Sequence, residues 1–209
     1  MAENLYDEMK KHLSKNDDEM VMQFVQRRFI PITGKITDEI AKGIIPVLAR
    51  FDLMSHDPIT LLIASNGGDI EAAGYIIDMI HGINSPVDGL VTQRAGSAAV
   101  DILLHCRKRM ALPHSWFFVH FTRCGFDVVC DSDRLGKHDF RAFRKKILGA
   151  KREREQLYSM KLGKSLSEVR KLFHMGEKFH LEYSTDEALK LGLIGEVNRT
   201  FKFVLPKIS

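Results

Sequence analysis

The chain has 209 residues, of which 44% are hydrophobic and 28% charged, and a formal net charge of +4. That balance excludes collagen, a mucin-like stalk and a disordered tail, and the length suits one domain with at most a small appendage. No apolar run approaches the ~18 residues that cross a bilayer, and the opening stretch MAENLYDEMKKHLSKNDDEM is too polar for a secretion signal. A cytoplasmic protein without membrane association is therefore expected. The three cysteines, Cys106, Cys124 and Cys130, form no CxxC pair and read as reduced thiols.

Residues 1–20 read as an exposed, partly helical arm, with Leu5, Met9, Leu13 and Met20 loosely on one face. Phe29 to Ile32 is a short buried strand ending at Gly34. Thr37 caps a helix whose first turn carries Asp38 and Glu39, and Ile40, Ile44, Val47, Leu48 and Phe51 recur at helical spacing. Pro46 should kink that helix. Asp57-Pro58 breaks the chain. Ile59 to Ala64 is unbroken and apolar, as in a strand covered on both faces.

A turn at Ser65-Asn66-Gly67-Gly68-Asp69 then leads into a helix marked by Ile70, Ala73, Ile77 and Ile80 and ended by Gly82. Val87 to Val91 is the next strand, and Ala95 to Cys106 a second turn into a helix. Arg109 to Leu112 and Trp116 to Phe121 are further strands, separated by Pro113. Strand, glycine turn, helix and strand in alternation is the rhythm of an α/β layered domain.

A long helix is predicted from about Asp133 to Leu162, with Phe140, Phe143, Ile147, Ala150, Arg154 and Leu157 on one stripe. Its basic run Arg144-Lys145-Lys146, with Lys151, Arg152 and Arg154, is interleaved with Glu153 and Glu155. That pattern is a solvated face rather than a nucleic-acid surface. Ser165 and Glu168 form a capping-box pattern for the next helix. Ser184 to Leu191 is a last helix, stopped by Gly192, and Ile194 to Val197 and Phe201 to Leu205 read as closing strands. His114, His120, Cys124 and Cys130 match no zinc-ligand spacing, so no metal and no other cofactor is expected.

Three segments in order, Ala64-Ser65-Asn66-Gly67-Gly68-Asp69, Ala95-Gly96-Ser97-Ala98-Ala99-Val100 and Leu112-Pro113-His114-Ser115-Trp116-Phe117-Phe118-Val119-His120, resemble the ClpP serine peptidases of the ClpP/crotonase superfamily. That family reads Asn-Ser-Pro-Gly-Gly, Gly-x-Ala-Ala-Ser, and Leu-Pro-Asn-Ser followed by three apolar residues and the catalytic His. A weaker match extends to Thr33-Gly34-Lys35-Ile36 and to Asp186 through Ile194. The resemblance implies an α/β fold, a ClpP/crotonase-type spiral of ββα units with a protruding helical handle. It implies an N-terminal arm over 1–24, a ClpP-like domain over 25–200 with its handle at about 126–174, and a C-terminal strand or tail over 201–209.

It also implies roles. Gly67 and Gly68 fall on the substrate-binding and oxyanion-hole turn, where the lack of a Cβ allows close approach to a reacting carbonyl. His120 falls on the general base. The nucleophile position holds Val100, which has no exchangeable proton and no lone pair. Asp101 would supply the second oxyanion amide, with a carboxylate poorly placed beside a developing anion. The acid that orients the histidine falls at His180, with Glu177 and Glu182 a short slip away. A triad without its nucleophile retains at most binding and polarisation.

The expected function is thus a ClpP-like subunit without peptidase chemistry, forming a structural or regulatory homo-oligomeric ring of seven or fourteen copies. An active ClpP paralogue and a ring ATPase unfoldase are the partners that the resemblance implies, and neither nucleic acid nor membrane is among them. The alternatives are an active endopeptidase with a non-standard nucleophile such as Ser97, or a crotonase-like acyl-thioester enzyme that needs an oxyanion hole and no nucleophile. Otherwise Ser97 is a helix-capping hydroxyl.

Overall fold

The structure, a computed structural model, describes residues 18–121, 137–179 and 181–201. The chain groups into two units, one running to Phe118 and resuming at Glu182, the other spanning Val119–Leu181.

In the first unit, β1 (Phe29–Ile36), β2 (Ile59–Gly68), β3 (Val87–Gly96), β4 (Arg109–Ala111) and β7 (Glu196–Val197) lie side by side in that order, every neighbouring pair parallel. Parallel strands need crossovers, and helices supply the first three: α2 (Asp38–Met54), α3 (Ile70–Gly82) and α4 (Ala98–His105). Ile59, Leu61, Leu62 and Ile63 of β2 are all buried, so this strand is covered on both faces as its apolar run predicts. Two short strands leave the main path. β5 (Trp116–Phe118) continues along β3 beyond the end of β4, and β6 (Glu182–Ser184) runs antiparallel to β5.

Thr37 caps α2, its hydroxyl accepting from the Ile40 amide, and the helix runs on through Pro46 to Met54. Ser184 caps α7 (Thr185–Leu191) in a full capping box with Glu187, and Gly192 closes that helix in the left-handed conformation at φ +82°. The main strands are longer than the apolar runs suggest. β2 extends through the expected turn to Gly68, and β3 extends to Gly96. β5, by contrast, stops at Phe118, before His120.

The side chains of residues 1–20, read as an exposed arm, lie outside the described residues. Helix α1 (Asp18–Arg27) buries Val21, Gln23 and Phe24. At its end Arg28 takes φ +56°, and its guanidinium donates to the carbonyls of Phe51, Ser55 and Asp57 at 2.8–3.0 Å. Phe201 is not in a strand, and its ring sits 6.0 Å from that of Phe29; the rest of the expected closing strand lies outside the described residues.

The second unit contains α5 (Lys137–Leu162) and α6 (Leu166–Phe179). Ser165 caps α6 reciprocally with Glu168, as the sequence pattern predicts. Tyr158 of α5 and Phe173 of α6 meet edge to face at 4.7 Å, both essentially buried. Glu155 is 1% exposed, and its Oε2 accepts from Arg170 Nε and pairs with Arg170 Nη2, each at 2.9 Å. Cys124, Cys130, residues 126–136 of the expected handle and the side chains of Phe140, Phe143 and Ile147 lie outside the described residues. No helix among the described residues is long and apolar enough to cross a membrane.

Candidate active site

The glycine turn is built by a bulge and one buried hydroxyl. β1 and β2 slip register between Thr33 and Lys35, where Gly34 sits at φ +73°. Ser65, 1% exposed, fills the irregularity: its Oγ donates to the Gly34 carbonyl at 2.6 Å and accepts from the Gly67 amide at 3.0 Å. The Gly67 N–H is thereby used within the turn. Gly67 lies at φ +89° and Gly68 at φ +159°.

Both glycines are required by contact as well as by dihedral angle. A Cβ on Gly67 would lie 2.4 Å from the Gly96 carbonyl oxygen and 2.8 Å from Ser97 Cβ. One on Gly68 would lie 2.2 Å from the Ile36 carbonyl oxygen, and one on Gly96 would lie 2.7 Å from the Asn66 carbonyl oxygen. The first two motifs are therefore interlocked backbone to backbone. Arg94 reinforces the junction, its guanidinium donating to Asn66 Oδ1 at 3.1 Å.

Ser97 is the hinge between β3 and α4. Its φ of +50° and ψ of −121° are those of a sharp strand-to-helix elbow, a conformation that costs a non-glycine residue on the order of 1–3 kcal/mol. Its amide donates to the Phe118 carbonyl at 2.7 Å, and its carbonyl accepts from the Val100 and Asp101 amides at 2.9 and 3.3 Å. The expectation that its hydroxyl caps the helix fails, because the side chain makes no cap hydrogen bond. Val100 is fully buried, and Asp101 is 8% exposed. The Asp101 amide, expected as an oxyanion donor, is engaged with the Ser97 carbonyl.

His120 belongs to the second unit, where Arg154 holds its main chain. One guanidinium nitrogen donates to the His120 carbonyl at 2.6 Å, while the guanidinium carbon lies 5.0 Å from the centroid of the Phe173 ring and 5.3 Å from that of Tyr158. On the sequence Arg154 stands in the helical stripe of Phe140 and Leu157. A cation on an otherwise apolar stripe is the signal that could have singled it out. From α6, Gly176 meets the same segment: a Cβ there would fall 1.7 Å from the Val119 carbonyl oxygen and 3.6 Å from His120 Cα. His180 lies outside the described residues, as does the side chain of Glu177; Glu182 is exposed, in β6 of the other unit. Among the described residues no three His, Cys, Asp or Glu side chains gather as a metal site.

The family model for Clp protease matches residues 12–200. The ATP-dependent Clp protease proteolytic subunit 2 of Treponema denticola is 31% identical over 147 residues, which are 69% of this chain and 74% of that protein. The subunit of the same name from Treponema pallidum is 26% identical over 91% of this chain and 92% of its own length. A variant of ClpP1 from Listeria monocytogenes has a solved structure that superposes with a TM-score of 0.70 at 26% identity, covering 87% of this chain and 96% of that one. With a parallel sheet of this kind, two interlocked glycine motifs in family order and a family match over nearly its whole length, the chain belongs to the Clp protease family.

Proposed function

We propose that this chain is a Clp protease subunit without peptidase chemistry, working as a structural or regulatory member of a ring. One observation carries the reading: Val100, the residue on which the resemblance puts the family's nucleophile, is a hydrocarbon side chain with no surface exposure. Acyl transfer by the family mechanism needs an oxygen there that a base can deprotonate. One further feature supports the same reading: the Asp101 amide, assigned by the resemblance to the oxyanion hole, is engaged with the Ser97 carbonyl at 3.3 Å. The relatives are named as proteolytic subunits, which supports assembly with other chains, whether copies of itself or an active paralogue.

A second reading is favoured by the backbone of Ser97. A serine on a strained strand-to-helix elbow is the arrangement in which hydrolases present a nucleophile. Incubation of the purified chain with a serine-reactive fluorophosphonate, together with casein and peptide-ester assays, decides between the two. No labelling and no turnover are expected. Labelling that Ser97→Ala abolishes would overturn the inactive assignment and establish the elbow as the active centre.

A further inference from the structure

The C-terminal ends of α3 and α4 bring two histidines together on the surface. His81 lies in the last turn of α3 and His105 is the last residue of α4. The Nε2 of His81 and the Nδ1 of His105 are 2.7 Å apart, with the ring planes at 84°. His81 is exposed and His105 half-exposed. Neither belongs to the motifs that define the family resemblance.

We propose that this pair is a binding site for a divalent transition-metal ion of the Zn2+ class, which clamps α3 to α4. Imidazole is a preferred ligand for such ions. Metal–nitrogen bonds of about 2.0–2.1 Å at a tetrahedral angle set two ligand nitrogens about 3.3 Å apart. The observed pair is about 0.6 Å closer, a gap that rotations of two solvent-accessible side chains open. The ring that donates in the hydrogen bond shifts its proton to its far nitrogen through solvent, so that both rings are protonated on their far nitrogens and both facing nitrogens present lone pairs to the ion.

The second argument is electrostatic. Both residues sit where a helix ends, and each helix C-terminus carries about half a negative charge on its unsatisfied carbonyls. Two such ends flank the same point, and a dication there is stabilised by both. No third His, Cys, Asp or Glu joins the pair among the described residues, so water completes the coordination shell and the ion stays exchangeable. The clamp acts on α4, the helix whose other end carries Ser97, Val100 and Asp101.

The test uses the full chain without a polyhistidine tag. Zn2+ titration followed by calorimetry and thermal melting is expected to show one ion per chain and a rise in melting temperature. His81→Gln and His105→Gln each keep a hydrogen-bonding side chain but remove a ligand. Losing a ligand should weaken binding by at least the roughly tenfold that loss of a ligand's supporting partner causes. His56→Gln, which alters another exposed histidine, should bind as the parent does. Cu2+ offers a direct readout, since its electron paramagnetic resonance spectrum should show two imidazole nitrogens in the parent and one in each variant. Absence of binding, or affinities and spectra unchanged in both variants, would overturn the proposal and leave the pair as an imidazole–imidazole hydrogen bond.

Discussion

A methyl group at Gly67 would be driven into the Gly96 carbonyl oxygen at 2.4 Å and the Ser97 Cβ at 2.8 Å, on a backbone at φ +89°. Gly67→Ala should therefore destabilise the fold by at least the roughly 1–3 kcal/mol of backbone strain alone, read as a lowered urea midpoint. The resemblance assigns this glycine to substrate; the structure shows that it is also needed for β2 to dock on the elbow at Ser97. Gly74, by contrast, has open space where its Cβ would be. Gly74→Ala, in the middle of α3, should be neutral or stabilising by up to about 1 kcal/mol. A Gly67 variant as stable as the parent would show that the interlock is not required. Ser65 was legible as part of a motif, but its place between the Gly34 carbonyl and the Gly67 amide was not, since it depends on a bulge in a strand thirty residues earlier.

At the scale of elements, Asp52 pins the end of α2 to the loop before β3. Its Oδ1 accepts from the Asn84 amide at 3.1 Å and from the Ser85 amide and hydroxyl at 2.7 and 2.8 Å. Removal from water pushes this carboxyl up, but the bonds from Ser85, Asn84 and His56 together outweigh it and hold the group at about 2, against an ordinary 3.8. A carboxyl more acidic folded than unfolded stabilises the fold fully above its unfolded value, and the benefit is lost as pH falls through the folded one. The parent should thus lose stability from pH 3.8 down to about 2, and Asp52→Asn should flatten that slope while being less stable at neutral pH. Urea midpoints across the acid range measure both. In the second unit, Arg154→Met keeps an apolar stem against Tyr158 and Phe173 but loses the bond to the His120 carbonyl, whereas Arg154→Ala loses both. Alanine should lower the melting temperature more than methionine; equal effects would mean that the stem contributes nothing. Most of the helices were legible from their caps or periods, but α1 over Asp18–Arg27 was not. β6 was not, because three residues paired to another short strand carry no period of their own.

For the whole molecule, the proposed ring predicts a particle of seven or fourteen chains in size-exclusion chromatography with light scattering. A monomer at all accessible concentrations would remove the structural-ring reading. Apolar side chains on the second unit, Met160 at 71% exposure and Leu148 at 41%, are candidates for burial in such an assembly. The sequence by itself determined the layered α/β class and the order of the main strands and helices, because apolar runs and glycine turns are local properties. Only the tertiary structure decided that β2 and β3 run on to Gly68 and Gly96, that Ser97 is a strained elbow rather than a cap, and that Arg154 and Gly176 are what His120 meets on α5 and α6. Each of those depends on which backbones approach each other across gaps of twenty to more than fifty residues, and no local pattern records such an approach.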